Sequence, residues 1–309
     1  MKNKFVLWLS MMFVCIAMMA KPSDKLLPMP QQLMVKGGSF TMGKVMLETP
    51  VLQSEWEALI AQAGGTLVDK STRKIEVKLV PEIQGAKMNQ EEAYRLKVSS
   101  KGILVEATTQ KGVYWALQTL RQLEEKKGRY EACEIVDWPA FKIRGFMHDV
   151  GRSYLSVDEL KKEIEILSRY KINVFHWHLT ENQAWRLESK IFPMLNDSVN
   201  MIRLHGKYYT IEDAKEIMAF CKQHNMLLIP EVDMPGHFLA AISQYPELAC
   251  KGMIGWGKTF SSPVCPGKDA TLEFCKNVYK EIFQLFPSQY VHLGGDEVEK
   301  INWSKCADC

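Results

Sequence analysis

Four clusters of reactive side chains recur in the second half of the chain, each closing an apolar run: His148-Asp149, His176-x-His178-x-x-Glu181, Glu231-x-Asp233-x-x-x-His237 and His292-x-x-x-Asp296-Glu297. Carboxylates and imidazoles are the groups that move protons near neutral pH, so the set suits general acid–base chemistry. Asp296 and Glu297 follow Gly294-Gly295. Two glycines let the backbone turn tightly and come near a ligand, and neighbouring residues of extended chain point to different sides. The two carboxylates can therefore touch different atoms of one substrate. Held close, with one partly desolvated, their proton affinities are pushed apart, so one carboxyl can stay protonated as an acid while the other stays ionised. The pair by itself fits a solvated acidic loop or a helix-start charge equally well. A metal shell is a further reading, because His176-x-His178 can present two imidazoles on one side of a strand with Asp233, His237 and Asp296 completing the set.

The apolar runs at residues 145–150, 172–179, 226–232 and 290–293 are nearly continuous, the pattern of parallel strands covered on both faces. Helical periods separate them. Ser156-x-x-Glu159 is a capping box opening a helix with Leu160, Ile164, Leu167 and Tyr170 inward; Thr210 caps another with Ala214, Ile217, Met218 and Cys221 inward. A third, over 269–286, carries Leu272, Cys275, Val278 and Ile282. Polar clusters at the carboxyl ends of successive parallel strands predict an α/β fold of the (β/α)8 TIM-barrel type, of which residues 141–309 supply about the first half. The doubly wound alternative wants a glycine-rich phosphate turn after its first strand, and Val150-Gly151-Arg152-Ser153 is not one. Residues 21–140 read differently. Alternating runs at 75–79 and 94–98 predict half-buried antiparallel strands, and Gly102 marks a turn into 103–107. A helix over 112–123 then presents Val113, Ala116, Leu117, Leu120 and Leu123 on one face. This small α+β domain lacks a convergent set of reactive side chains, so a supporting role is expected.

In order and spacing, Arg144-Gly145 leading into Asp149-x-x-Arg152, His176-Trp177-His178-Leu179, Asp233-Met234-Pro235-Gly236-His237 and His292-Leu293-Gly294-Gly295-Asp296-Glu297 resemble the motif set of family 20 glycoside hydrolases, the β-N-acetylhexosaminidases. The stretch from Leu27-Pro28-Met29-Pro30-Gln31 to about residue 140 resembles the small domain that precedes the barrel there. The resemblance implies a substrate: a glycan ending in N-acetylglucosamine or N-acetylgalactosamine. It implies Glu297 as general acid/base, Asp296 as the carboxylate that orients the substrate's own acetamido group, and Arg144 as the arginine gripping sugar hydroxyls. His237 and Glu181 match residues that support the acid. Where many members carry two aspartates this chain has Glu181-Asn182, which leaves the reach of Glu181 to be found. Asp149, His178 and Glu231 fit hydrogen-bond partners beneath the pocket. Acid catalysis with acetamido participation needs no metal, so neither metal nor cofactor is expected. The rivals are the metal-dependent hydrolase and a carbohydrate-binding remnant that cannot turn over.

Composition narrows the rest. With 309 residues, 47% hydrophobic, and 39 basic against 36 acidic side chains for a net charge of +3, the chain can bury a sizeable core and carries no charge run suited to nucleic acid. Lys2 and Lys4 before the apolar run 5–20 form an export leader, with no membrane span expected after cleavage and a periplasmic or extracellular destination. A lipid anchor at Cys15 is disfavoured by bulky Val14. Seven cysteines then remain, an odd number. Cys250 and Cys265, bracketing a glycine-rich loop, form the expected disulfide in an oxidising compartment. Cys306-x-x-Cys309 lacks a second ligand pair and is read as incidental.

Overall fold

Alternation along residues 94–107 gives the expected hairpin: Tyr94–Ser99 pairs antiparallel with Gly102–Ala107, and Tyr94, Leu96, Val98, Ile103, Val105 and Ala107 are buried. The computed structural model describes residues 22–250, 263–298 and 300–309, so the leader at 1–20 and the glycines 252, 255 and 257 lie outside the described residues. Among the described residues no helix is long and apolar enough to cross a membrane.

The chain divides into two compact units, one ending at Lys142 and one beginning at Ile143. The hairpin belongs to the first, within a mixed sheet. Its strand order is Gln32–Thr41, Arg129–Asp137, Tyr94–Ser99, Gly102–Ala107, Lys74–Leu79, Lys44–Glu48, Thr66–Leu67, with Glu124–Lys126 paired to Arg129–Asp137. The expectation that 75–79 would pair antiparallel is corrected: Lys74–Leu79 runs parallel to both neighbours. Its connections are crossovers, one through helix Gln53–Gln62 and one through Tyr94–Ser99, and crossovers are what parallel neighbours require. A Cβ at Gly102 would stand 2.4 Å from the Lys74 carbonyl oxygen, so this pairing admits only glycine there. Helix Gln110–Gln122, capped by the Thr109 side chain, buries the predicted face and also Tyr114 and Trp115, whose Nε1 donates to buried Glu92.

In the second unit, Gly145–Asp149, Val174–His178 and Leu227–Glu231 form a parallel sheet with Val174–His178 in the middle. The helices Val157–Arg169 and Ile211–Gln223 alternate with these strands, and both open on complete capping boxes, at Ser156–Glu159 and Thr210–Asp213. Leu160, Ile164, Ala214, Ile217 and Cys221 are buried as expected, and side chains the size of Ile164 and Ile217 each contribute about 1.5–3 kcal/mol on burial. Tyr170 is instead exposed, because the helix ends at Arg169 and Ser168 turns inward. Helix Asp269–Leu285 buries Val278 and Ile282 and packs Cys275 against the core as expected, but not Leu272. Thr271, Phe274, Val278 and Ile282 face the core, while Leu272 is exposed.

Three of the four predicted barrel strands form as such. The fourth, at 290–293, is reduced to one parallel bridge between Glu231 and His292. On that side of Leu227–Glu231, His292 N–H donates to the Pro230 carbonyl and Val232 N–H donates to the His292 carbonyl. The next donor in the ladder would be Pro230, which has no N–H. The ladder stops, and the Ser288 hydroxyl caps the Leu228 carbonyl instead.

Candidate active site

The strand register sets the floor of the site. His178 stands opposite Asp149 on one side and Glu231 on the other, so three polar side chains emerge at one level at the carboxyl ends. Glu231 is buried with three imidazoles close by: His176 Nε2 at 2.6 Å, His178 Nδ1 at 2.7 Å and His292 Nδ1, which accepts the Gly294 N–H, at 2.8 Å. Burial alone would raise its proton affinity, but the bonds from His176 and His178 reverse this and hold the carboxyl far below the usual range. His178 and Glu231 are thus partners of one another by direct contact.

Beside this floor runs a second chain of contacts. The Arg152 guanidinium meets Asp149 at 2.6 Å and also contacts Glu181. The carboxylate of Glu181 pairs with His237 Nδ1 at 2.8 Å, while its other oxygen accepts the Asn182 backbone N–H at 2.6 Å. The opposite nitrogen of the ring, Nε2, lies 3.3 Å from Glu297 and 3.5 Å from Asp296. The longer Glu181 therefore reaches the histidine. Its carboxylate is the first cause of the raised His237 pKa, about 9, so the imidazole is a cation facing the exposed carboxylates. Both His237 and Glu297 adopt left-handed backbone, φ 50° and 46°, an uncommon conformation outside glycine and one that clusters at functional sites.

The carboxyl that partners Asp296 most closely is Asp233, fully buried after strand Leu227–Glu231. Burial first, then the neighbouring Asp296 charge, push Asp233 up to about 7; Asp296, against its own partial burial, is held low by the bond from Asp233. The two share a proton that resides on Asp233. The same Asp233 accepts the Gly295 N–H at 2.8 Å, and a Cβ at Gly294 would fall 1.8 Å from its Oδ1. Gly294-Gly295 is what allows the loop to close onto this carboxyl.

Of the residues singled out from the sequence, Asp296, Glu297, His237 and Glu181 are brought together. Arg144 is not among them. It precedes the amino end of Gly145–Asp149, its backbone N–H bonded to Asn173 and its Nε to the Lys171 carbonyl, at the end of the sheet opposite Asp149 and His178. Five residues of strand span about 16 Å, which separates it from the polar cluster. The arginine the fold delivers is Arg152, three residues past the strand. Arg152 and the proton-holding role of Asp233 were missed from sequence; position relative to strand ends was the available signal for the first. The metal shell drawn from sequence also divides. Among the described residues His176 converges with Glu231 and His292, while Asp233, His237 and Asp296 form a separate group, each set with donor atoms within 4.8 Å. Trp185 is buried against Phe238.

Comparison with known proteins follows the same division of the chain. The description "Glycosyl hydrolase family 20, catalytic domain" matches residues 141–309, and "Glycosyl hydrolase family 20, domain 2" matches 24–138. The chain belongs to glycoside hydrolase family 20. A β-hexosaminidase of Porphyromonas gingivalis is 40% identical over 240 residues, covering 71% of this chain and 31% of the relative; one from Akkermansia muciniphila is 35% identical, covering 71% and 48%. The chain thus spans less than half of these relatives. Among solved structures, β-N-acetylhexosaminidase from Bacteroides fragilis aligns with TM-score 0.76 at 34% identity over 92% of this chain and 58% of its own. The family 20 exo-β-N-acetylglucosaminidase of Vibrio harveyi, solved with N-acetylglucosamine, gives 0.79 at 32% over 93% and 49%. With these neighbours the second unit is the opening part of a family 20 barrel and the first is the small domain before it.

Proposed function

We propose that this chain forms part of an exported β-N-acetylhexosaminidase that releases terminal, non-reducing N-acetylglucosamine or N-acetylgalactosamine from glycans with retention of configuration. The observation that carries the reading is His237, placed between buried Glu181 and the exposed pair Asp296 and Glu297. Glu297 gives its proton to the glycosidic oxygen as the bond from the anomeric carbon to that oxygen breaks. The substrate's acetamido oxygen forms the new bond, and Asp296, ionised, stabilises the positive charge that spreads over the resulting oxazolinium ring. Glu297 then takes a proton from water as the water oxygen opens the ring, so two displacements restore the original configuration. Arg152, half exposed and fixed by Asp149 and Glu181, has N–H groups left for vicinal hydroxyls, which a planar fork of donors suits. The lysines ahead of the run 5–20 support export.

The direct test compares aryl N-acetyl-β-glucosaminide with the plain aryl β-glucoside and adds a thiazoline mimic of the cyclic intermediate. Hydrolysis of the first only, inhibited by the thiazoline, is expected. Efficient cleavage of the plain glucoside would overturn participation by the substrate.

The shared proton supplies a prediction about pH. Asp233 is protonated below about pH 7 and donates to Asp296; as pH rises through that value the proton leaves and two carboxylates face each other. Turnover should fall on this alkaline side. In Asp233→Asn an amide replaces the protonated acid and cannot ionise, so the fall at this pH should vanish from the profile of kcat. Identical alkaline limbs in parent and variant would remove Asp233 from the site's titration.

A further inference from the structure

Cys250, Cys265, Cys306 and Cys309 come from separate stretches of chain and meet, with all four sulfurs within 4.8 Å of one another. Cys309 Sγ lies 3.4 Å from Cys265 and 3.8 Å from Cys250, and Cys306 Sγ lies 3.7 Å from Cys265. All four are thiols, so the expected disulfide between Cys250 and Cys265 is not present. The second ligand pair that Cys306-x-x-Cys309 lacked is delivered by the fold.

The spacing has a chemical meaning. A tetrahedral zinc ion holds thiolates at about 2.3 Å, which puts neighbouring sulfurs about 3.8 Å apart. A disulfide needs about 2.0 Å and isolates sulfurs in pairs. Here Cys265 and Cys309 each have two sulfur neighbours at close to the tetrahedral edge. Backbone N–H groups of Asp308 and Cys309 point at the Cys306 sulfur, and that of Gly267 at the Cys265 sulfur, donors that stabilise a thiolate. The scaffold is tight. Ala249 bridges to Val264, Cys265 N–H donates to the Leu248 carbonyl, Trp303 Nε1 donates to the Val264 carbonyl, and a Cβ at Gly267 would lie 2.0 Å from the Asp308 carbonyl oxygen.

We infer that these four cysteines bind one zinc ion as a closed, structural tetrathiolate site. Binding displaces the thiol protons to solvent and involves no redox step. With four protein ligands no position is open for substrate, so the ion acts as a clamp. It joins the stretch ending at Cys309, twelve residues past Glu297, to the loop at Val264, whose N–H donates to the Pro235 carbonyl just before His237. Both arms of the acid site are thereby tied to one point. In an oxidising compartment a bound ion also keeps the thiols from pairing.

The test is elemental analysis of the purified protein, with thiol titration in denaturant before and after chelation, and cobalt(II) substitution. Expected are one zinc per chain, four thiols that become reactive only when zinc is chelated, and cobalt spectra with the intense visible bands of a tetrahedral thiolate site. Cys309→Ser should lower zinc retention at least tenfold and Gly267→Ala should weaken it, while Cys275→Ser, outside the cluster, should leave it unchanged. Zinc removal should lower Tm by more than about 5 °C. If the cysteine variants fail to fold, cobalt binding to the parent decides. Iron in place of zinc would overturn the metal assigned. Protein with no bound metal, or with only Cys133, Cys221 and Cys275 reactive because the other four are oxidised in pairs, would overturn the site.

Discussion

Glu297→Gln should slow hydrolysis of natural glycosides by about 10²–10⁴-fold, because an amide cannot protonate the departing oxygen. Substrates with activated aryl leaving groups should suffer far less in the first step, since they depart without a proton. The contrast between the two substrate classes isolates acid catalysis from general damage to the fold. His237 Nε2, 3.3 Å from Glu297, is expected to keep the glutamine in place, so thermal stability should change little. A wild-type rate on the natural glycoside would remove Glu297 from the acid role.

Asp296→Asn has the next largest expected effect. The side chain keeps its shape and loses its charge, and one well-placed charge contact to a developing cation is worth roughly 3 kcal/mol, on the order of a hundredfold in rate. The loss should fall on kcat more than KM, and a thiazoline mimic should bind the variant more weakly than the parent. Because Asp296 accepts the hydrogen bond from protonated Asp233, the variant should also change how Asp233 titrates. Unchanged thiazoline affinity would return Asp296 to the status of a structural charge.

Much of this arrangement was legible because local signals and global fold agree. The capping boxes at Ser156 and Thr210 open the helices where they were read, and polar residues at strand ends located one face of the sheet. Relations across the fold were harder to read. Arg144 and Arg152 flank the same strand, one before it and one after it, so their places at opposite ends were legible; which of the two reaches the acid site was not. Lys74–Leu79 alternates like an antiparallel strand, yet its partners are chosen by crossovers on either side. Asp233 looks like one more acidic residue until its burial against Asp296 is seen. Four cysteines spread over some sixty residues carry no spacing signature until the chain folds them together.

The carboxylate of Glu231 with its three histidines acts as a cross-brace whose strength depends on the medium. Glu231, depressed by the imidazoles, stabilises the fold above its ordinary value of 4.5 and loses that effect only as pH falls toward its lower folded value. His178 is desolvated, yet Glu231 still raises its proton affinity; its contribution is complete below 6.5 and fades as pH climbs through the raised value. The two windows overlap in mildly acid solution, where the ends of Val174–His178 and Leu227–Glu231 are drawn together most firmly. Denaturant midpoints measured across pH should peak there, and Glu231→Gln should flatten the peak. The half-barrel would then be built to hold its shape best in a slightly sour environment.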